Sequence, residues 1–394
     1  MKVLLTSALR NVGMAATRGL AKNGVKVIGA DDRQLPFNCR SRYLQKIYIH
    51  PHVNDEGAFV ESLLAIVKKE CPEVFFPIRG AHHIAKHVAF FEPYTRTLLP
   101  PYESYRVAND NRSTLKVCRG LGIDCPSILD EEAAKTYLKR HSASMLVVKP
   151  RLDIGGGRGI YFVNSPKALH SAMKNVEEHY NQCIIQEYIP GGTRNMRTVN
   201  LLFDRKSQMI AYFTTRKIRQ WPNSGGISAL SISTADIELV EMVLPFFQKF
   251  GWKGLAEVEL KIDDRDQRAK VIEINPRVWG YFGFPIHCGV NFPFIYCQAA
   301  MERALPQDKI GSYRAGLKYL NPFAYSKAAL KEWSVTARKS ELLRRIWREL
   351  RGKKVGNFLD FKDLRVIIAK VFFEMRMGLL GELVYGDDIL DSRF

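Results

Sequence analysis

Between Gly254 and Arg277 the chain writes two strands around a polar turn, and the acids set into them limit what it can fold into. Gly254-Leu255-Ala256-Glu257-Val258-Glu259-Leu260-Lys261 is one strand and Val271-Ile272-Glu273-Ile274-Asn275-Pro276-Arg277 the other. Asp263-Asp264-Arg265-Asp266 lies between them, so a hairpin is expected. Side chains alternate along a strand. Glu273 and Asn275 therefore share one face and Ile272 and Ile274 the other, while Glu257 and Glu259 also share a face. Such pairing gathers carboxylates and an amide oxygen at one point, the all-oxygen surroundings that magnesium takes beside nucleotide phosphates. The plainer reading is an exposed hairpin whose polar face meets water. Against it stand the very apolar strands around those residues and the proline and glycines from Pro276 to Gly283.

Upstream, the first hundred residues alternate strand and helix. Lys2 to Leu5 reads as a strand, Gly13 to Asn23 as a helix, Val25 to Ala30 and Val74 to Pro77 as strands, and His82 to Phe91 as helical. That alternation predicts a parallel α/β sheet. Pro100-Pro101 punctuates the chain, and a boundary is placed near residue 104. From Asn109 to Ile189 the order is helix, strand, glycine loop, strand, helix, strand. From Met196 to Val278 long strands surround a helix at Thr234 to Phe250, an α+β arrangement with an antiparallel sheet. The segment from Tyr325 to Phe394 is helical in texture and basic from Arg338 to Lys354.

Two further elements carry chemistry. Leu146 to Pro150 is a buried strand holding Lys149, followed by Gly155-Gly156-Gly157-Arg158-Gly159. A strand running into a glycine-rich turn can fold its N–H groups around phosphate oxygens, with the lysine adding a compact charge. Glycine runs also make plain hairpin loops. Cys183 to Ile189 is a second apolar strand, through Gln186 and Glu187. Its backbone could meet an adenine edge or simply link two lobes, and taken alone the linker is favoured.

Taken in order, these motifs resemble the ATP-grasp superfamily, in its carboxylate–amine ligase and carbamoyl-phosphate-synthase-like branches, over roughly residues 1–300. The resemblance implies an α/β domain over 1–104, then a two-lobed α+β ATP-grasp fold over 105–305. Its lid lobe would be about 105–190 and its metal-binding lobe about 191–305, with a helical basic extension over 306–394. It implies that Lys149, Gly155, Gly156, Gly157 and Arg158 face phosphates and that Gln186, Glu187 and Ile189 form an adenine hinge. Glu259, Glu273 and Asn275 would ligate magnesium, with manganese as a substitute, and Arg277 would steady the transferred phosphoryl group. ATP would phosphorylate a carboxylate, and an amine or similar nucleophile would attack the acylphosphate; Lys149 and Arg277 carry the catalytic charge. The chain departs from the family where Asp110 is followed by Asn111, so Arg112 stands in for the usual first phosphate-binding cation. The stretch Thr193 to Arg197 offers neither glutamate nor histidine for the ribose.

Other readings bound this one. The first turn, Thr6 to Gly13, lacks the close-spaced glycines of a dinucleotide site, so an NAD(P)-dependent oxidoreductase built on Asp31-Asp32 is a runner-up. A nucleotide-binding sensor or scaffold without turnover is the second alternative. Seven scattered cysteines without a CxxC pair read as reduced thiols of a cytoplasmic protein. The stretch from Val366 to Tyr385 carries Lys370, Glu374 and Arg376, which argues against a spanning helix. A formal net charge of +19 favours anionic partners. Arg216, Lys217 and Arg219, before Trp221-Pro222 and Ser224-Gly225-Gly226, read as a basic cluster for an acidic substrate or as a solvated strand, with Lys217 taken as a nucleotide contact. Arg79 is read as a substrate-loop residue. Arg344, Arg345, Arg348 and Arg351 with Leu342, Leu343, Ile346 and Trp347 make an amphipathic pattern. Packing on the core with its charges in solvent is the favoured reading; lying on an anionic membrane or meeting an acidic partner are the alternatives. No nucleic-acid motif is recognised, and a homodimer is the default assembly.

Overall fold

A computed structural model describes residues 1–33, 40–140, 144–153, 155–223, 225–303, 305, 310–357, 363–369 and 372. Ser224, Cys39 and most of the apolar stretch from Val366 to Tyr385 lie outside the described residues.

The N-terminal unit starts with strand β1 (Lys2–Thr6), helix α1 (Asn11–Ala21), and strands β2 (Lys26–Asp31) and β3 (Leu44–Ile49). Helix α2 (Glu56–Glu70), strand β4 (Val74–Phe76) and helices α3 (Ala81–Lys86) and α4 (Val88–Phe91) complete it. The four strands form one parallel sheet in the order β3-β2-β1-β4. β1 reads as an unbroken apolar run because it lies inside the sheet and is covered on both faces. The expected helix from His82 to Phe91 is broken in two at His87, and β3 and α2 were not anticipated. α2 is well delimited: Asp55 accepts from Ala58 N at its start, and Cys71 closes it in the left-handed region at φ 44°.

Helix α5 (Tyr102–Asn109) spans the expected boundary at residue 104 and leads into α6 (Asn111–Gly120), capped by Asp110. A small antiparallel sheet follows, in the order β5-β8-β6-β7, from β5 (Ile128–Leu129), β6 (Leu146–Pro150), β7 (Tyr161–Val163) and β8 (Cys183–Glu187). Helices α7 (Glu131–Arg140) and α8 (Pro166–Tyr180) cover it around Leu138, Val148, Leu169 and Val176. The large sheet is built from β9 (Met196–Phe203), β10 (Met209–Trp221), β11 (Ile227–Thr234), β12 (Gly254–Ile262) and β13 (Ala269–Asn275). Helix α9 (Ile237–Lys249) lies on one face, burying Phe246 and Phe247 with Trp252. Helices α10 (Gly283–Cys288) and α11 (Phe292–Ala300) return to the N-terminal sheet, where Tyr296 stacks on Phe76 at 4.2 Å. One apolar core thus runs from β1 and α1 through Trp279 and Phe282 into the large sheet.

The C-terminal segment gives two strands to that sheet, β14 (Lys318–Leu320) and β15 (Lys354–Val355), besides the expected helices α12 (Pro322–Val335) and α13 (Lys339–Leu350). Strands this short leave little alternation to read in the sequence. None of the described helices is long and apolar enough to cross a membrane.

Candidate functional site

A cleft of about 1350 Å³ opens between the three sheets, and the acidic hairpin forms part of its wall. β12 and β13 pair so that Glu257 lies opposite Asn275 and Glu259 opposite Glu273. All four line the cleft. Asn275 Nδ2 donates to Glu257 Oε2 at 3.2 Å and Glu273 Oε1 at 3.3 Å. Tyr281 donates its hydroxyl to Glu257 Oε1 at 2.8 Å. Burial, and then the charge of Glu259, pushes the carboxyls of Glu257 and Glu273 up to about 7. Acids crowded this way repel one another until a cation joins them.

Cations surround the acids. Lys149, buried on β6, donates to the backbone oxygen of Ile272 at 3.1 Å. Burial lowers its proton affinity against the pull of Glu273. Lys217 reaches across from β10 to both oxygens of Glu259, at 3.0 and 3.1 Å, and to the Gly226 carbonyl at 3.1 Å. Arg277 donates from Nη2 to Asp153 Oδ2 at 2.8 Å and to Asn275 Oδ1 at 3.1 Å. Asp153 accepts from Gly155 N at 2.8 Å on its other oxygen, and so ties that arginine to the glycine loop. Gly155, Gly156, Gly157 and Gly159 all take φ near +70°, a conformation that glycine alone adopts readily. Arg158 lines the cleft and bonds back to the Gly155 carbonyl at 3.4 Å.

The apolar end of the cleft is lined by Val147, Ile160, Ile189, Met196 and Ile272, with Gln186 beside them. The Gln186 amide oxygen is buried without a hydrogen-bond partner. Glu187 is not among the lining residues. Its carboxylate is held by Arg265 and by Ser127 N at 3.1 Å.

The expected residues are therefore brought together with two exceptions, Glu187 and Arg112. Arg112 opens onto a separate depression with Leu115, Lys116 and Arg119, because it lies on another face of α6 from the capped end. Arg151 lines the main cleft and donates to Asp110 at 2.7 Å. The basic cluster on β10 is split as well. A register shift between Lys217 and Arg219 leaves Lys217 and Gln220 on the cleft, while Arg219 turns to Glu349 and Glu332. In the first βα turn Asp31 accepts from Leu9 N at 2.8 Å. Asp32 is gripped by Arg10 at 2.7 Å and Arg79 at 3.0 Å, so neither acid is left open to a ribose. Arg10 and Arg79 line the N-terminal end of the cleft. Sequence reasoning missed Asp153 and Tyr281. The run Asp153 to Gly155, an acid two residues before a glycine, was the available signal for the first.

Residues 108–281 match the ATP-grasp domain family. This chain carries an ATP-grasp domain. The domain takes in the glycine loop, the hinge strand and the acidic hairpin. Over the longer chain there is similarity to the D-aspartate ligase of Enterococcus faecium (strain Aus0004), 20% identical with 70% of each chain covered. Among solved structures, biotin carboxylase from Campylobacter jejuni in a β-γ-ATP complex superposes with a TM-score of 0.63 at 17% identity. That match covers 80% of this chain and 74% of the other. The biotin carboxylase domain dimer of Hydrogenobacter thermophilus 2-oxoglutarate carboxylase, with MgADP, ADP and bicarbonate, gives a TM-score of 0.60 at 16% identity. It covers 77% of this chain and 70% of the other. These structures share the ATP-grasp fold with this chain.

Proposed function

We propose that this protein is an ATP-dependent ligase that activates a carboxylate as an acylphosphate for attack by an amine or similar nucleophile. The observation that carries the reading is the convergence of Glu257, Glu259, Glu273 and Asn275 with Lys149, Lys217 and Arg277 in one cleft. On this reading residues 105–190 form the lid and 191–305 the metal-bearing lobe, behind the 1–104 domain. Adenine enters the apolar slot beside the unpartnered Gln186 oxygen. The phosphates run past the glycine loop toward Lys149.

Among the described residues, no group of three His, Cys, Asp or Glu side chains is placed to hold a metal ion by itself. Magnesium characteristically uses one or two carboxylates and completes its shell with phosphate oxygens and water. Glu259, Glu273 and Asn275 fit that role, and the repulsion among the buried acids favours it. A bound ion would neutralise charge between the phosphate oxygens. Manganese suits the same donors.

The chemistry asks little covalent work of the protein. An oxygen of the substrate carboxylate bonds to the γ-phosphorus while the bond to the ADP oxygen breaks. The nucleophile's nitrogen then attacks the acyl carbon, phosphate leaves with the bonding electrons, and the nitrogen loses a proton. Arg277 and Lys149 supply fixed positive charge to the transferring group, and Asp153 orients Arg277. The N-terminal end of the cleft, with Arg10 and Arg79, is positioned for the acceptor.

Calorimetry with ATP, with and without magnesium, on wild type and Glu273→Gln tests the site. MgATP stabilisation that the substitution removes is the expected result. ADP release is then measured against acid and amine panels, with D-aspartate tried first. Binding without any ADP release across the panels would favour a nucleotide sensor. No ATP binding at any magnesium level would overturn the reading.

A further inference from the structure

The hairpin of α12 and α13 has an inner face that accounts for its position and an outer face that carries large exposed apolar side chains among basic ones. Inside, Leu342 is buried, and Glu349 joins Arg219 at 3.0 Å and the Tyr325 hydroxyl at 2.9 Å. Glu332 pairs with Arg219 at 2.8 Å and with Arg345. These ion pairs, with Arg219–Glu349 buried, staple both helices to β10.

Outside, α13 presents Leu343, Trp347 and Leu350, spaced i, i+4, i+7 along one stripe. Arg344, Arg348 and Arg351 run beside it with the same spacing. Leu343 is 54% and Trp347 63% exposed, and the Arg351 guanidinium lies 5.3 Å over the Trp347 ring. α12 continues the surface with Leu330, which is 67% exposed, beside Lys331. Trp333 is exposed too, under the Lys339 ammonium at 5.1 Å. From Pro322 to Lys354 the chain carries ten lysines and arginines against three glutamates, and two of those glutamates are spent on the inner face. A solvated face would carry the charges without the tryptophans and leucines.

We propose that this outer face docks on an anionic membrane surface, with Trp347, Leu343 and Leu330 entering the headgroup region and the flanking arginines and lysines meeting lipid phosphates. The combination of side chains on this face selects this partner. Basic residues alone would suit any polyanion, but large apolar side chains in register with them suit a surface that is charged outside and apolar beneath. Tryptophan is a side chain that settles at that boundary. The hairpin would lie on the membrane and not cross it. The proposal is independent of the ligase reading, since every residue it uses lies outside the cleft.

Co-flotation of the full chain with vesicles tests it. The vesicles are phosphatidylcholine alone, or three parts phosphatidylcholine to one part phosphatidylglycerol. The protein should float with the anionic vesicles only, and binding should weaken when NaCl rises from about 0.1 to about 0.5 M. Arg344→Glu with Arg348→Glu should reduce partitioning roughly tenfold or more. Lys167→Glu with Lys174→Glu, the same charge change on α8, should leave it nearly intact. Trp347→Ser, which alters no charge and no buried contact, should also reduce it several-fold while the melting temperature of the protein stays unchanged. Equal losses from the α8 and α13 charge pairs, or no loss from Trp347→Ser, would show attraction by net charge only and overturn the proposal. So would failure to float. Concentration-dependent dimers abolished by Trp347→Ser would assign the face to a second copy, and retention on duplex DNA unaffected by Trp347→Ser would assign it to nucleic acid.

Discussion

Lys217 holds both carboxylate oxygens of Glu259, at 3.0 and 3.1 Å, at the point where the acidic hairpin would receive a cation. Burial works against the ammonium, but Glu259 overrides it and raises the proton affinity of Lys217, so the lysine keeps its charge. The pair keeps Glu259 in place, and on the proposed reading an incoming ion would share that carboxylate with Lys217.

Lys217→Met should therefore damage both the resting site and turnover. Glu259 loses its partner beside two acids that already resist ionisation. A fall of about 10²- to 10³-fold in kcat for ADP release is expected, the scale for removing one fixed charge-stabilising donor. Lys217→Arg should recover part of it. Steady-state ADP release under saturating MgATP checks this, and a wild-type rate from Lys217→Met would remove Lys217 from the machinery.

Asp153 accepts from Arg277 on one oxygen and from Gly155 N on the other, so it couples the arginine to the loop. Asp153→Asn keeps the shape but weakens the charge-assisted bond. It should lower kcat about tenfold and raise KM for ATP several-fold. Asp153→Ala should cost more in both. Initial-rate kinetics separates the two effects, and a change in KM alone would confine Asp153 to loop positioning.

Much of this site could be read from residue order, and its failures have physical causes. The strand alternation that put Glu273 with Asn275, and Glu257 with Glu259, is a local property and survives folding unchanged. Lys149 and the glycine loop are similarly local. Arg112 was misplaced because the face a helix residue takes is chosen by tertiary packing. Arg112 lies on the far side of α6; the carboxylate of Glu187 is drawn to Arg265, which leaves the backbone of that strand for a hinge. The basic cluster on β10 failed for a subtler reason. A bulge changes which side chains share a face, and nothing in Lys217-Ile218-Arg219 announces it. Arg219 found its partners about 110 to 130 positions away, on α12 and α13. The strand β3 was lost because its exposed edge positions dilute the apolar signal that marked β1 and β2.

Gly157 marks where the glycine loop meets the loop after β10. It takes φ +70°, and a Cβ there would lie 2.5 Å from the Gly225 carbonyl oxygen. Gly157→Ala brings both backbone strain and a clash with main chain, so the two loops must separate. MgATP affinity should fall about tenfold or more, with little change in thermal stability without nucleotide, because the loop covers no core. Isothermal titration checks the first expectation and a melting curve the second. Unchanged affinity would mean that the loops need not touch when nucleotide binds.

The raised carboxyls at the hairpin give the protein a pH signature. Glu257 and Glu273 move from an ordinary 4.5 up to about 7, first through burial and then through the charge of Glu259. Between those values the native protein holds protons that the unfolded chain has released. Their contribution to stability is thus complete below about 4.5 and is lost as pH rises through 7. Without nucleotide and with a chelator present, the melting temperature of wild type should drop between pH 6 and pH 8 by roughly 2 °C or more. Glu257→Gln, neutral throughout, should flatten that slope while keeping an acceptor for the Tyr281 hydroxyl. MgATP works in the opposite direction, since a metal ion competes with the same protons. Its stabilising effect should grow over the interval in which the free protein weakens. Melting curves at matched ionic strength, with and without MgATP, read both trends; parallel slopes for wild type and Glu257→Gln would mean that Glu257 does not hold its proton through this range.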